Sequence, residues 1–365
     1  VRASRAFGLV VGLAVIGPGC AHMKRLPPGE ALNAQERKDA IRRASVWSPT
    51  NIPATNFKEG PKGEGSFARN EWVSCEYKEK KTTGASPKFV CETSPGHEIK
   101  VKYGLRNAEV FGEVLATRLF WGLGFAADRM YPVRVRCKGC PKDPAEDAAK
   151  TEGTSEFDPA AVEWKLPGRA METSEDSGWN WAVLDDIGPE APKDEAVHRD
   201  ALKLLAAFVQ HSDSKSANQR LLCPEGKEIG KTGCSAPILM VQDLGLTFGE
   251  ASLLNMNKNS VSFAQWSEVS VWKDQAKCVA ELKGSFSGKL KNPTIGEPAR
   301  AFLAGLLGQL SDAQLRDLFA TARVQLRSTD PSSDPDKEPA DATVAQWVKA
   351  FKNKRAQIVD HRCPR

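Results

Sequence analysis

The sequence predicts an α+β fold of two lobes, a small antiparallel-sheet lobe carrying one helix and then a mainly helical lobe. Two observations predict it: strand-like alternation clusters ahead of Cys140, and helical spacing dominates beyond Gly249. No internal repeat links the two parts. The 365 residues are 41% hydrophobic and 27% charged, the composition of an ordinary globular chain. A formal net charge of +5 with no long basic run removes nucleic acid from the expected partners.

At the N-terminus, Arg2 and Arg5 precede an apolar run from Ala6 to Ile16, followed by Gly17, Pro18, Gly19 and Cys20. That run is too short for a permanent bilayer-spanning helix and has the layout of a secretory signal, so residues 1–20 are expected to be a signal peptide. A buried N-terminal helix or strand is the bland alternative. A small residue before Cys20 resembles a bacterial lipobox, whose cysteine is acylated after cleavage. Gly17 and Pro18 depart from the usual pattern, and ordinary cleavage after Ala21 is the rival. Cysteine arithmetic favours the lipid, because the nine cysteines become an even set of eight once Cys20 is removed. The expectation is an exported protein, periplasmic or anchored to the outer membrane, touching the membrane through that lipid alone.

Eight cysteines in an exported chain read as four disulfides. The economical pairing is sequential: Cys75–Cys91, Cys137–Cys140, Cys223–Cys234 and Cys278–Cys363. Sequence alone permits on the order of a hundred pairings. The run Cys137-Lys138-Gly139-Cys140 also has the spacing of a redox or zinc pair. A zinc ribbon needs a second close pair, which Cys223 and Cys234 do not provide.

Residues 21–50 read as a polar tether followed by a short helix. The N-lobe is expected over 51–185 and the C-lobe over 186–365. Trp72–Tyr77, Lys88–Glu92 and Glu98–Tyr103 alternate as strands. A helix follows from Asn107, its expected N-cap, to Leu123, stopped by Gly124. Met130–Cys137 is a further strand, residues 141–160 an acidic surface loop, and Trp164–Leu184 is expected to hold two strands. Asp194–Gln210 has helical spacing, as do Pro298–Leu310, Asp312–Leu326 and Ala342–Ile358. Between the last two, residues 328–339 are rich in Ser, Pro and Asp and read as a loop.

The chemistry concentrates after the helix that ends near Gln210. His211-Ser212-Asp213-Ser214-Lys215-Ser216-Ala217-Asn218 is followed by an apolar strand, Ile238–Gln242, ending in Asp243-Leu244-Gly245. A polar turn at a helix end also favours Ser, Asp and Asn. The spacing of His, Asp, Lys and Asn, with Asp-x-Gly beyond, resembles the catalytic loop and magnesium motif of protein-kinase-like phosphotransferases. That resemblance implies Asp213 as the base on an acceptor hydroxyl, Lys215 as the contact to the transferring phosphate, and Asn218 and Asp243 as ligands of magnesium. It implies ATP or another nucleoside triphosphate as cofactor, held with magnesium. Phosphoryl transfer depends on positioning and charge neutralisation, which is why these residue types are needed.

Such folds also pair a strand lysine with a helix glutamate. Lys100 and Lys102 share one strand face, and Glu109 and Glu113 lie one helical turn apart. The run Glu113–Gly124 resembles this helix in toxin–antitoxin serine kinases and phosphatidylinositol kinases, and the pair chosen is Lys102 with Glu113. A solvated strand edge and helix face are the alternative. Gly63 and Gly65, in Gly60–Phe67, stand where a phosphate-covering loop is expected, although their order departs from Gly-x-Gly-x-x-Gly and a plain linker fits equally. The adenine-contacting hinge is expected between Trp179 and Asp186.

Ser212 replaces the usual Arg, Leu244 replaces Phe, and no Ala-Pro-Glu follows, so the resemblance spans residues 98–249 and points to an atypical kinase. No Gly-x-Ser-x-Gly elbow is present, and the five histidines lack zinc-ligand spacing. The rival readings are a catalytically inactive kinase-like binding module of the cell envelope and a nucleotidyl transferase. The acceptor and the oligomeric state are not legible.

Overall fold

The computed structural model describes residues 31–84, 86–94, 96–174, 177–250, 260–283, 290–327 and 343–364. The expected signal peptide, Cys20, the start of the tether and the loop at 328–339 lie outside them. No helix among the described residues is long and apolar enough to cross a membrane.

The first helix among the described residues is α1 (Ala34–Arg43), started by a reciprocal cap in which the Asn33 side chain accepts from the Glu36 amide and the Glu36 side chain accepts from the Asn33 amide. Strands β1 (Trp72–Lys78), β2 (Lys88–Thr93) and β3 (His97–Tyr103) follow, then α2 (Glu109–Leu123), β4 (Arg129–Lys138) and β5 (Thr154–Trp164). These five strands form a closed barrel in the order β1-β2-β3-β5-β4. Closure comes from β1 pairing in parallel with β4, Cys75 opposite Cys137. The antiparallel sheet expected from sequence is therefore corrected at that seam. Alternation explains the barrel core: Val73, Cys75 and Tyr77 point inward, as do Phe89 and Cys91, and Ile99, Val101 and Tyr103.

Two further expectations change. β5 starts at Thr154, so the acidic loop is shorter than 141–160. Among the described residues beyond β5, the stretch to Leu184 holds β6 (Gly168–Ala170) as its one strand, while Trp181–Asp185 is a 3₁₀ turn. Trp179 and Trp181 are buried core residues rather than alternate positions of a strand.

The second core gathers the remaining elements. They are α3 (Glu195–Phe208), β7 (Gln219–Pro224), β8 (Glu228–Ile229), β9 (Gly233–Cys234), β10 (Ile238–Val241), α4 (Phe263–Glu268), β11 (Trp272–Asp274), β12 (Val279–Ala280), α5 (Glu297–Gly308), α6 (Asp312–Thr321) and α7 (Val344–Val359). β6, β7 and β10 form one sheet. α2 is buried on nearly all sides, which suits a helix wedged between the barrel and α6. Fully buried Arg199 on α3 docks α1, donating to the Ile41 and Ala44 carbonyls at 2.8 and 2.7 Å.

The eight cysteines lie at disulfide distance in the sequential pairs, with Cα–Cα separations of 5.7, 5.5, 5.6 and 5.6 Å along the chain. Such a set belongs to an oxidising compartment.

Candidate active site

The site is assembled where β3, α2 and the two loops flanking β7 and β10 converge. With Ile99, Val101 and Tyr103 committed to the barrel core, Lys100 and Lys102 face outward. Each meets a different carboxylate. Lys100 stands opposite Glu163 on β5 and pairs with it, and Lys165 also pairs with Glu163 and lies 2.9 Å from Asp128. Lys102, only 1% exposed, lies nearer α2 and contacts Glu109 at 2.6 Å and Glu113 at 2.8 Å.

Two glycines make this convergence possible. A Cβ on Gly112 would lie 2.7 Å from the Gly245 carbonyl, and one on Gly245 would lie 2.6 Å from Glu109. α2 therefore touches the Asp243–Gly245 turn at backbone contact, and its two glutamates flank the Asp243 carboxylate. Carboxylate oxygens of Glu109, Glu113 and Asp243 all lie within 4.8 Å of one another.

The loops are fastened to each other by main-chain bonds. The Asn218 carbonyl accepts from both the Gln242 and Asp243 amides, at 2.7 and 3.2 Å. The Asn218 side-chain Nδ2 donates to the Asp213 carbonyl at 2.7 Å, which leaves the side-chain oxygen as the atom able to bind a cation. Ser212 donates to the Leu246 carbonyl through both its amide and its hydroxyl, and the Phe248 amide donates to Val209. Lys215 pairs with Asp213 at 2.8 Å. His211 is fully buried, 6.0 Å from the Trp181 ring, and burial pulls its imidazole down to about 4.

Burial dominates the electrostatics, and the charges then divide. Burial opposes the Lys102 charge, yet Glu109, Glu113 and Asp243 outweigh it and hold the ammonium well above its usual range. Burial pushes Glu113 up to about 8 against the pull of Lys102. Asp243 goes the other way: burial is outweighed by Lys102, the Gly245 amide and Lys100, and its carboxyl stays far below the usual range. Carboxyl oxygens of Glu109, Glu113 and Asp243 gather beside the Lys102 ammonium, and Glu113 Oε2 meets no donor among the described residues. Oxygen ligands are what a divalent cation takes, and the ionised Asp243 with the Asn218 side-chain oxygen would hold one, the glutamates lying beside them.

Asp213, Lys215, Asn218 and Asp243 are thus brought together by the loop fastening, and Lys102 and Glu113 join them through Asp243. Gly63 and Gly65 are placed by other contacts, Gly63 near Arg129 and Gly65 flat against the Trp164 ring. The loop that reaches the cluster is the one between β1 and β2, where the Ser86 hydroxyl donates to Glu109 at 2.8 Å. Its sequence signal was Gly84 in a polar run between two strands. Glu109, named beside Glu113 but not chosen, contacts Lys102 as well, because the two lie one helical turn apart and point the same way. The chain passes from the barrel to the second sheet at residues 165–167.

No protein-family model matches the chain, and no curated protein matches it in sequence. Among solved structures it is similar to the Helicobacter pylori proinflammatory kinase CtkA, at 12% identity over 78% of this chain and 94% of that one, with a TM-score of 0.40. The apo GRMZM2G135359 pseudokinase aligns at 14% identity over 75% of this chain and 90% of its own, with a TM-score of 0.18. Both likenesses are too loose to carry a residue-by-residue correspondence.

Proposed function

We propose that this chain is an exported kinase-like phosphotransferase that moves a phosphoryl group from a magnesium-bound nucleoside triphosphate to an acceptor hydroxyl. One observation carries the reading. The Asn218 carbonyl binds the amides of Gln242 and Asp243, so the Asp213 loop and the Asp243 turn present their side chains beside the Lys102–Glu113 ion pair.

In this reading Asp213 orients the acceptor hydroxyl and takes its proton. Lys215, now paired with Asp213, swings to the transferring phosphate. Lys102 holds the nucleotide's α and β phosphates and is itself fixed by Glu113. Asn218 and Asp243 hold magnesium, which supplies charge neutralisation of the phosphates when bound. Four cystines support the oxidising compartment, and Cys20 remains the proposed lipid anchor.

The test is direct. Purified protein with ATP and magnesium should show nucleotide-dependent thermal stabilisation and transfer of labelled phosphate. Stabilisation without transfer favours the inactive binding module, and mass spectrometry that finds a nucleotidyl adduct favours the other rival. The absence of both stabilisation and transfer overturns the reading.

A further inference from the structure

Four lysines crowd the face of the barrel that looks onto the cluster, and three of them have carboxylate partners. Lys102 has Glu109 and Glu113, Lys100 has Glu163, and Lys165 has Glu163 and Asp128. Lys88 has no ion-pair partner among the described residues. It is the first residue of β2 and stands directly opposite Lys102 in the antiparallel register. Directly opposed side chains share a face, and like charges there repel.

Lys88 is also turned inward. A Cβ on Gly84 would lie 2.8 Å from its ammonium, so the side chain runs beneath the β1–β2 loop. That loop is tied down beside the cluster by Ser86 on Glu109 and by the Pro87 carbonyl, which accepts from the Asn107 side chain at 2.9 Å. Burial lowers the Lys88 amine, and Lys102 and Lys100 lower it further, against the pull of Glu109 and Asp243. A lysine serving only solubility would extend into water. This one is half-buried beside a like charge, and no carboxylate among the described residues forms an ion pair with it, Glu109 and Asp243 acting only from a distance.

We propose that Lys88 is an anion-binding residue that takes a phosphate of the bound triphosphate from beneath the β1–β2 loop, with Lys102 on the other side. An anion between the two ammonium groups turns their mutual repulsion into two attractions. The inference rests on the phosphotransferase reading for the identity of the ligand, but its geometry calls only for a polyphosphate.

Calorimetric titration of the full chain separates the two ideas, using magnesium–ATP, magnesium–tripolyphosphate and adenosine as probes. Lys88→Met should weaken both polyphosphates by roughly 10- to 100-fold and leave adenosine unchanged, while Lys88→Arg stays within about threefold of the parent. In the unsubstituted chain, tripolyphosphate should shield Lys88 from amine acetylation, read by peptide mass spectrometry. Equal affinities in parent and Lys88→Met, or full acetylation of Lys88 at saturating tripolyphosphate, overturn the proposal and leave the phosphotransferase reading standing. Lys88-dependent binding of tripolyphosphate with no gain from the nucleoside supports the lysine's role and sinks the nucleotide reading. A parent chain that binds neither polyphosphate overturns both.

Discussion

Lys354 on α7 is 1% exposed, donates to the Val269 carbonyl and lies 5.1 Å from the Trp266 ring. The carbonyl and the ring face both favour the charged form, but burial outweighs them and pulls the amine from 10.5 to about 7. In the unfolded chain the amine keeps its proton to about pH 10. Between about pH 7 and pH 10 the unfolded state therefore binds the extra proton, so stability rises with pH across that window. The full penalty is about 5 kcal/mol below the window, about 4 kcal/mol at pH 7 and about 2 kcal/mol at pH 9. Lys354→Met keeps the apolar stem and removes the charge. It also takes a donor from the Val269 carbonyl, a loss of about 1–2 kcal/mol. The variant should be more stable than the parent by about 2–3 kcal/mol at pH 7, an advantage that shrinks by about 2 kcal/mol at pH 9. Urea unfolding with the disulfides intact, followed by tryptophan fluorescence at both pH values, measures this. A variant that is less stable at pH 7, or whose advantage does not change with pH, would refute the reasoning.

Other outcomes follow from the site. Asp243→Ala should abolish magnesium-dependent nucleotide binding, while Asp213→Ala should remove turnover and leave binding mostly intact; equal loss of both in both folded variants contradicts the assigned roles. Gly112→Val should cost about 2–4 kcal/mol in a thermal melt, because its side chain meets the Gly245 carbonyl, and a neutral result would mean that α2 does not touch the turn. Because His211 is pulled down to about 4, stability should fall by about 3 kcal/mol as pH drops from about 6.5 to 4, where the unfolded state binds the proton first. Neither ring nitrogen has a hydrogen-bond partner among the described residues, so His211→Phe should flatten that acid limb in pH-dependent denaturation.

What was legible in the sequence was local. The spacing from His211 to Asn218 and the Asp243-Leu244-Gly245 turn lie in short segments whose side-chain order is fixed by chain proximity. The choice between Lys100 and Lys102 was not, since alternation puts both on one face. It is decided by distance from α2, with Lys100 passing to Glu163 on β5. The parallel β1·β4 seam was hidden because it joins strands far apart in sequence. Gly112 gave a weak signal, a helical glycine with a cost relative to alanine that only close approach explains. Only the strand expected around Trp179 and Trp181 was wrong, while both rings pack in the core: a two-residue period can arise in a turn whose aromatic rings both seek the interior.

Closure of the barrel has a consequence for partners. An open sheet offers unpaired main-chain groups along its outer strands, and foreign strands can lengthen it there. Here β1 and β4 satisfy one another along Trp72–Glu76 and Arg134–Lys138, so the ring has no free edge at that seam. Lengthening of the sheet between these two strands, by a foreign strand or a second copy, is blocked.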